Sequence, residues 1–164
     1  MDGIIFDVDG TLWDSVEVVA ESWNLAIKEN SDLEPNLNRE ILQGLFGKTM
    51  DEIAAGVFPD LDTDSRRKLM DICFDYENRY LETHPGVYYG KLYDKVYETL
   101  KTLSKEHPLF IVSNCQCGYI EVMMKGAGME PYIKDFLCFG QTQTSKDQTI
   151  LKLMEKNNLT SPVY

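Results

Sequence analysis

Two carboxylates, Asp7 and Asp9, stand two residues apart, and Gly10 and Thr11 follow at once. The apolar run Ile4-Ile5-Phe6 before them reads as a short buried strand. Carboxylates are strongly hydrated and costly to bury unpaired. A pair of them at the tip of a core strand calls for a cation, a proton or a reacting group. Their spacing suits a nucleophile and an acid/base partner aimed into one crevice. Gly10 lets the backbone turn sharply and approach an anion closely, and Thr11 adds a hydroxyl donor. A strand ending in an ordinary Asp-Gly turn would share the dipeptide. The coincidence of the whole string with an apolar strand favours a site.

Two other strand tips carry polar groups. Leu109-Phe110-Ile111-Val112 reads as a buried strand ending at Ser113-Asn114, and 136–139 as a short strand ending at Gly140, before a loop that runs to Lys146. If the strands are parallel, all three tips meet at the carboxyl edge of the sheet, where open α/β sheets bind ligands. The residues alone leave alternatives open here. Ser-Asn also makes a plain strand-end turn, and a lysine at a helix start is ordinarily a solvated one. Lys105 and Lys134 read as helix-end or loop residues.

The elements that must position these groups fall into two patterns. After the first strand (3–7), the spacing of Val16, Val19, Ala20, Trp23 and Ile27 predicts an amphipathic helix that ends at Asn30-Ser31-Asp32. A second helix reads from Asn38 to Leu45. The capping box Thr49-Met50-Asp51-Glu52 opens a third through Val57. A fourth starts at Asp62 or Asp64 and ends near His84-Pro85-Gly86. From there helix and strand alternate: helix 90–105, the strand at 109–112, helix 117–126, the strand at 136–139, helix 146–157, and at Pro162-Val163-Tyr164 the opening of one more strand. This alternation predicts an α/β fold, a doubly wound, Rossmann-like parallel sheet. Residues 1–13 and 86–164 form its core, and residues 14–85 an inserted all-helical cap over the carboxyl ends of the strands.

Composition narrows the function. The 164 residues are 43% hydrophobic, typical of a globular chain. No run reaches the ~20 apolar residues of a membrane span, and no signal sequence is legible, so a cytoplasmic protein is expected. A net charge of −11 disfavours nucleic acid as a partner. An anionic substrate would need a local cation or a lysine. Cys115-x-Cys117 lacks a second close pair and a nearby histidine, so zinc is not expected. Cys73, Cys115, Cys117 and Cys138 read as reduced packing residues. His84 and His107 each precede a proline and read as loop residues.

The string Phe6-Asp7-Val8-Asp9-Gly10-Thr11-Leu12-Trp13-Asp14-Ser15 resembles the first motif of the haloacid dehalogenase superfamily of aspartate-nucleophile phosphohydrolases. The resemblance implies that Asp7 attacks phosphorus to form an aspartyl-phosphate. It implies that Asp9 protonates the leaving oxygen and later activates water. Mg²⁺ would be held by the Asp7 side chain and the Asp9 backbone carbonyl. Ser113 matches the second motif, with Asn114 and Thr11 assisting at the phosphate. Lys146 matches the third, although Lys146-Asp147 stands where relatives often carry Lys-Pro. Gly47 and Lys48 lie between two cap helices, where a loop of capped relatives selects the substrate; a plain surface lysine is an equal reading of Lys48. The fourth motif, acidic residues after the strand opened by Val163-Tyr164, is not reached. The expected core therefore lacks its C-terminal strands and a metal ligand.

The branch resembled is that of phosphoglycolate phosphatase and β-phosphoglucomutase. The function implied is a Mg²⁺-dependent phosphatase of a small phosphorylated metabolite, weak or inactive in this form. A phosphomutase, or a non-catalytic remnant that binds phosphate or a partner, is the alternative. The missing strands would also leave the edge of strand 3–7 open to association with another chain.

Overall fold

The computed structural model describes residues 3–84 and 92–160. The chain divides into two compact units, Met1–Asp14 with Tyr88–Tyr164, and Ser15–Val87. The expected punctuation at Pro85-Gly86, the first two residues of the helix placed at 90–105 and the strand opening at Val163-Tyr164 lie outside the described residues.

Strand β1 (Ile4–Phe6) precedes the helical unit. That unit holds α1 (Val16–Asn30), α2 (Arg39–Gln43), α3 (Met50–Val57) and α4 (Thr63–Thr83). Local chemistry sets where these helices start. The Asn38 side chain accepts from the Ile41 amide to begin α2. Thr49 and Glu52 cap each other reciprocally at α3. Asp62 accepts from the Asp64 and Ser65 amides at α4. The apolar stripes then meet in one core, in which Trp23, Ile27, Leu42, Phe58, Met70 and Cys73 are buried. Inside it the Trp23 indole N–H donates to the buried Glu77 carboxylate at 2.7 Å, so neither polar group lacks a partner.

The second unit continues with α5 (Val96–Leu103), β2 (Leu109–Ser113), α6 (Tyr119–Ala127), a 3-10 turn (Glu130–Tyr132), β3 (Ile133–Cys138), α7 (Phe139–Thr142) and α8 (Lys146–Lys156). The strands are parallel in the order β1-β2-β3, with Phe6 level with Ile111 and Ser113 level with Cys138. Every β2 residue is buried, whereas every β1 residue is half-buried. β2 is therefore central, and β1 is marginal among the described residues. Phe110 and Val112, two residues apart, share the face that packs on Leu153 and Ile150 of α8.

Three elements differ from the sequence reading, the first being the strand end and loop read at 139–142, which form helix α7. The third strand spans Ile133–Cys138 instead of 136–139. Asp135 interrupts its apolar run, but its carboxylate accepts from Lys156 Nζ at 2.9 Å and Asn157 Nδ2 at 2.8 Å, so the charge is tolerated. Lys134, read as a loop residue, also lies in this strand and holds its ammonium 5.8 Å from the Phe110 ring centre. The helix read as 90–105 is only Val96–Leu103. Lys95 turns into the left-handed region (φ +62), and Leu92 pairs instead with Trp13.

Asp135 gives the fold a pH dependence. Burial would raise its carboxyl, but hydrogen bonds from Asn157, Lys156 and the Phe136 amide outweigh this and hold it below its usual 3.8. The stabilisation is fully present above the unfolded value and is lost as pH falls through the lower folded value. Thermal melts in steadily more acidic buffer should therefore show a loss of stability below 3.8 that is shallower in Asp135→Asn. Parallel acid profiles in the two proteins would exclude this contribution.

Candidate active site

Alternation along β1 puts Asp7 on the same face as Ile5, and Ile5 packs in the cluster against α8. Helix α8 begins at Lys146. The two charged groups therefore meet where strand ends and helix starts, with Lys146 Nζ 2.6 Å from Asp7 Oδ1. They line an open cleft of about 360 Å³ with Ile5, Phe6, Val112, Ile150 and Met154. Both side chains keep about a third of their surface in water, 33% for Lys146 and 36% for Asp7. An ion pair so exposed contributes only ~0–1 kcal/mol to stability. Its importance is the placing of a cation on a carboxylate at a strand tip.

Beyond Asp7 the chain makes a tight turn. The amides of Thr11 and Leu12 donate to the Val8 carbonyl at 3.1 and 2.8 Å, and the Gly10 amide donates to Trp13 O at 3.0 Å. Gly10 takes φ +76, which a side chain would strain. A Cβ there would touch nothing within 4 Å, so conformation and not space is the constraint. Thr11 stands exposed at the tip. Asp9 Oδ1 accepts from the Tyr119 hydroxyl at 2.5 Å. Tyr119 is 1% exposed, and its ring packs on that of Trp13 at 6.0 Å between centres. The sequence reading missed Tyr119, because a tyrosine on the apolar face of a helix shows no catalytic spacing. Only the fold carries α6 back beside the first strand's tip.

Ser113 is the buried last residue of β2. Extending the register from Phe6 and Ile111 places it one step beyond the level of Asp7 on the adjacent strand, strands being ~4.8 Å apart. Asn114 follows, half-buried. Burial, and then the neighbouring Cys138, push the Cys115 thiol well up, and the Ser113 hydroxyl acts against them. Gly140 donates its amide to the Cys115 carbonyl at 3.0 Å, which ties the third tip to the second. Gly47 and Lys48 belong to the helical unit. Gly47 adopts φ +84, and the Lys48 amide donates to Leu45 O at 3.2 Å. The Lys48 side chain is exposed.

The oxygen donors available at the first tip are of the hard type that suits Mg²⁺. That ion keeps several waters and needs few protein ligands. The Asp7 carboxylate and the Asp9 carbonyl are such donors. Among the described residues no group of three or more His, Cys, Asp or Glu side chains gathers as a metal cage. None of the described helices is long and apolar enough to cross a membrane.

The fold has counterparts among solved structures. The chain superimposes on a predicted phosphoglycolate phosphatase from Haemophilus somnus 129PT with a TM-score of 0.78 and 22% identity, over 97% of this chain and 72% of that one. A haloacid dehalogenase-like family hydrolase from Streptococcus pneumoniae gives 0.76 and 19%, over 99% and 73%. A protein provisionally assigned as β-phosphoglucomutase from Thermotoga maritima gives 0.64 and 17%, over 99% and 74%. At these identities the likeness establishes the fold. Among curated proteins none matches the chain closely. The family model for haloacid dehalogenase-like hydrolases matches residues 4–162, which takes in every strand tip described above. With both its sequence and its parallel sheet fitting that family, the chain belongs to the haloacid dehalogenase-like hydrolases.

Proposed function

We propose that this hydrolase is a Mg²⁺-dependent phosphatase of a small phosphorylated metabolite, working through an aspartyl-phosphate on Asp7. The observation that carries the reading is the Lys146–Asp7 contact at the tip of β1. It sets an ammonium where a phosphoryl group attacked by Asp7 would spread its charge. Phosphoryl transfer needs positioning and charge neutralisation more than basicity. The Asp7 carboxylate and the Asp9 carbonyl would hold Mg²⁺, which when bound neutralises phosphate oxygens.

In the first step an Asp7 oxygen bonds to phosphorus as the bond to the leaving oxygen breaks, and the Asp9 carboxyl gives that oxygen its proton. In the second, Asp9 takes a proton from water as the water oxygen attacks phosphorus, and the bond to Asp7 breaks. The Tyr119 hydroxyl fixes one Asp9 oxygen throughout. Thr11, Ser113 and Asn114 would hydrogen-bond the phosphoryl oxygens. The helical unit would act as the cap, with Gly47 and Lys48 selecting the rest of the substrate.

The test is phosphate release from a panel of phosphorylated small metabolites with Mg²⁺. Lys146→Ala should lower kcat/KM by roughly 100-fold, as loss of one charge-stabilising donor does, while the melting temperature barely moves. Unchanged turnover in Lys146→Ala would remove the basis of the reading. Conversion of a bisphosphorylated sugar with phosphate returned to a sugar acceptor would make the enzyme a mutase instead.

A further inference from the structure

Three of the four cysteines gather where β2 and β3 end. Cys115 and Cys117 lie in the segment that leads from Ser113 into α6, and Cys138 closes β3 level with Ser113. The segment and the strand end are pressed together. Gly140 sits so close that a Cβ on it would lie 2.9 Å from Cys117 Sγ. Cys138 Sγ is 3.6 Å from the Gln116 carbonyl oxygen. The Gln116 carbonyl leads directly into Cys117, so the Cys138 thiol lies beside Cys117, and partial burial, then this closeness, push the Cys117 thiol up. No disulfide joins them.

We propose that Cys117 and Cys138 are a redox-responsive pair, closed to a disulfide by exchange with a low-molecular-weight disulfide such as oxidised glutathione. Their unequal exposure assigns the roles. Cys117 is exposed and can meet the reagent, whereas Cys138 is wholly buried and Cys115 is 6% exposed. The Cys117 thiolate attacks one glutathione sulfur. A mixed disulfide forms on Cys117 and one glutathione thiolate leaves. The Cys138 thiolate then attacks Cys117 Sγ, and the second glutathione thiolate leaves. The two protons lost by the protein thiols end on two molecules of reduced glutathione, and the two electrons pass to the reagent. Cys138 suits the second step. Hydrogen bonds, first that from the Cys115 thiol, hold it down to about 7 despite burial, and an attacking thiol works best with a pKa near ambient pH. Cys115 is pushed well up, chiefly by burial, and stays a donor.

The bridge would join the segment that follows Ser113 and Asn114 to the end of β3, where α7 begins. It depends on no assumption about phosphate chemistry. The 164-residue protein, incubated with excess oxidised glutathione and digested with trypsin without reduction, should give peptide Glu106–Lys125 cross-linked to Asp135–Lys146, and dithiothreitol should separate them. Cys117→Ser should lose both the cross-link and the glutathione adduct. Cys138→Ser should stop at one adduct on Cys117, and Cys115→Ser should still cross-link. Should a buried substitution unfold the protein, the wild type and the exposed Cys117→Ser variant suffice. Wild-type protein that stops at the mixed disulfide or does not react, or a cross-link that survives in Cys117→Ser, overturns the assignment.

Discussion

Replacing Asp7 with asparagine is expected to cut Mg²⁺-dependent phosphate release by roughly 1,000-fold or more, the order seen when an attacking group is removed. That corresponds to at least ~4 kcal/mol of transition-state stabilisation. The amide keeps the shape of the carboxylate but cannot supply the negative oxygen that bonds to phosphorus. The side effect on folding should be small. The change removes one ion pair in which the Asp7 side chain is 36% exposed, and such pairs contribute ~1 kcal/mol at most. The prediction thus separates chemistry from stability. Steady-state turnover and a thermal melt should be measured on the same preparation. Turnover within about tenfold of the parent, a difference of only ~1.4 kcal/mol, would rule out Asp7 as the nucleophile. A collapse of turnover accompanied by unfolding would leave the carboxylate's role structural.

The largest stability effect is expected from Gly140→Ala. A Cβ at Gly140 would overlap the backbone nitrogen of Cys117 and lie 2.9 Å from the Gln116 carbonyl carbon. These are main-chain atoms, and they cannot rotate away as a side-chain tip can. Gly140 also donates its amide to Cys115 O at 3.0 Å, so retreat would strain a hydrogen bond. Overpacking of this kind costs about 3 kcal/mol, or a fall in Tm of roughly 6–12 °C for a chain of this size. The contrast is Gly56→Ala. There the atoms nearest the added methyl all belong to the flexible Leu45 side chain, and the loss should be smaller. Equal melting temperatures for the two variants would mean that the contact between the tips of β2 and β3 is looser than described.

Much of the fold was legible because its signals are local. The apolar run at 109–112, the 3.6-residue spacing of α1 and the Thr49–Glu52 capping box each involve neighbours in the chain. Errors arose where a distant partner overrode a local rule. Asp135 looks like a strand breaker until Lys156 and Asn157 are brought beside it, and β3 therefore starts earlier than its apolar residues suggest. Leu92 fits a helical stripe, yet it pairs with Trp13, which lies far away in sequence. Phe139 continues an apolar run but leaves the strand, because α7 starts there.

The candidate site divides along the same line. The sequence by itself determined which groups could act: Asp7 and Asp9 at one strand tip, Ser113 at another, Lys146 at a helix start. Residue type and spacing carry that much, since they fix where a strand ends and which side chains follow. Tertiary structure decided which of these groups meet. Parallel pairing of β1 with β2 and the packing of α8 on Ile5 and Val112 set Lys146 on Asp7 across more than half the chain. The same folding brought Tyr119 to Asp9 and pressed the end of β3 with Cys138 against the segment that carries Gln116 and Cys117. Contacts of this kind arise from the burial of apolar faces on a shared sheet, and no spacing within a single segment encodes them.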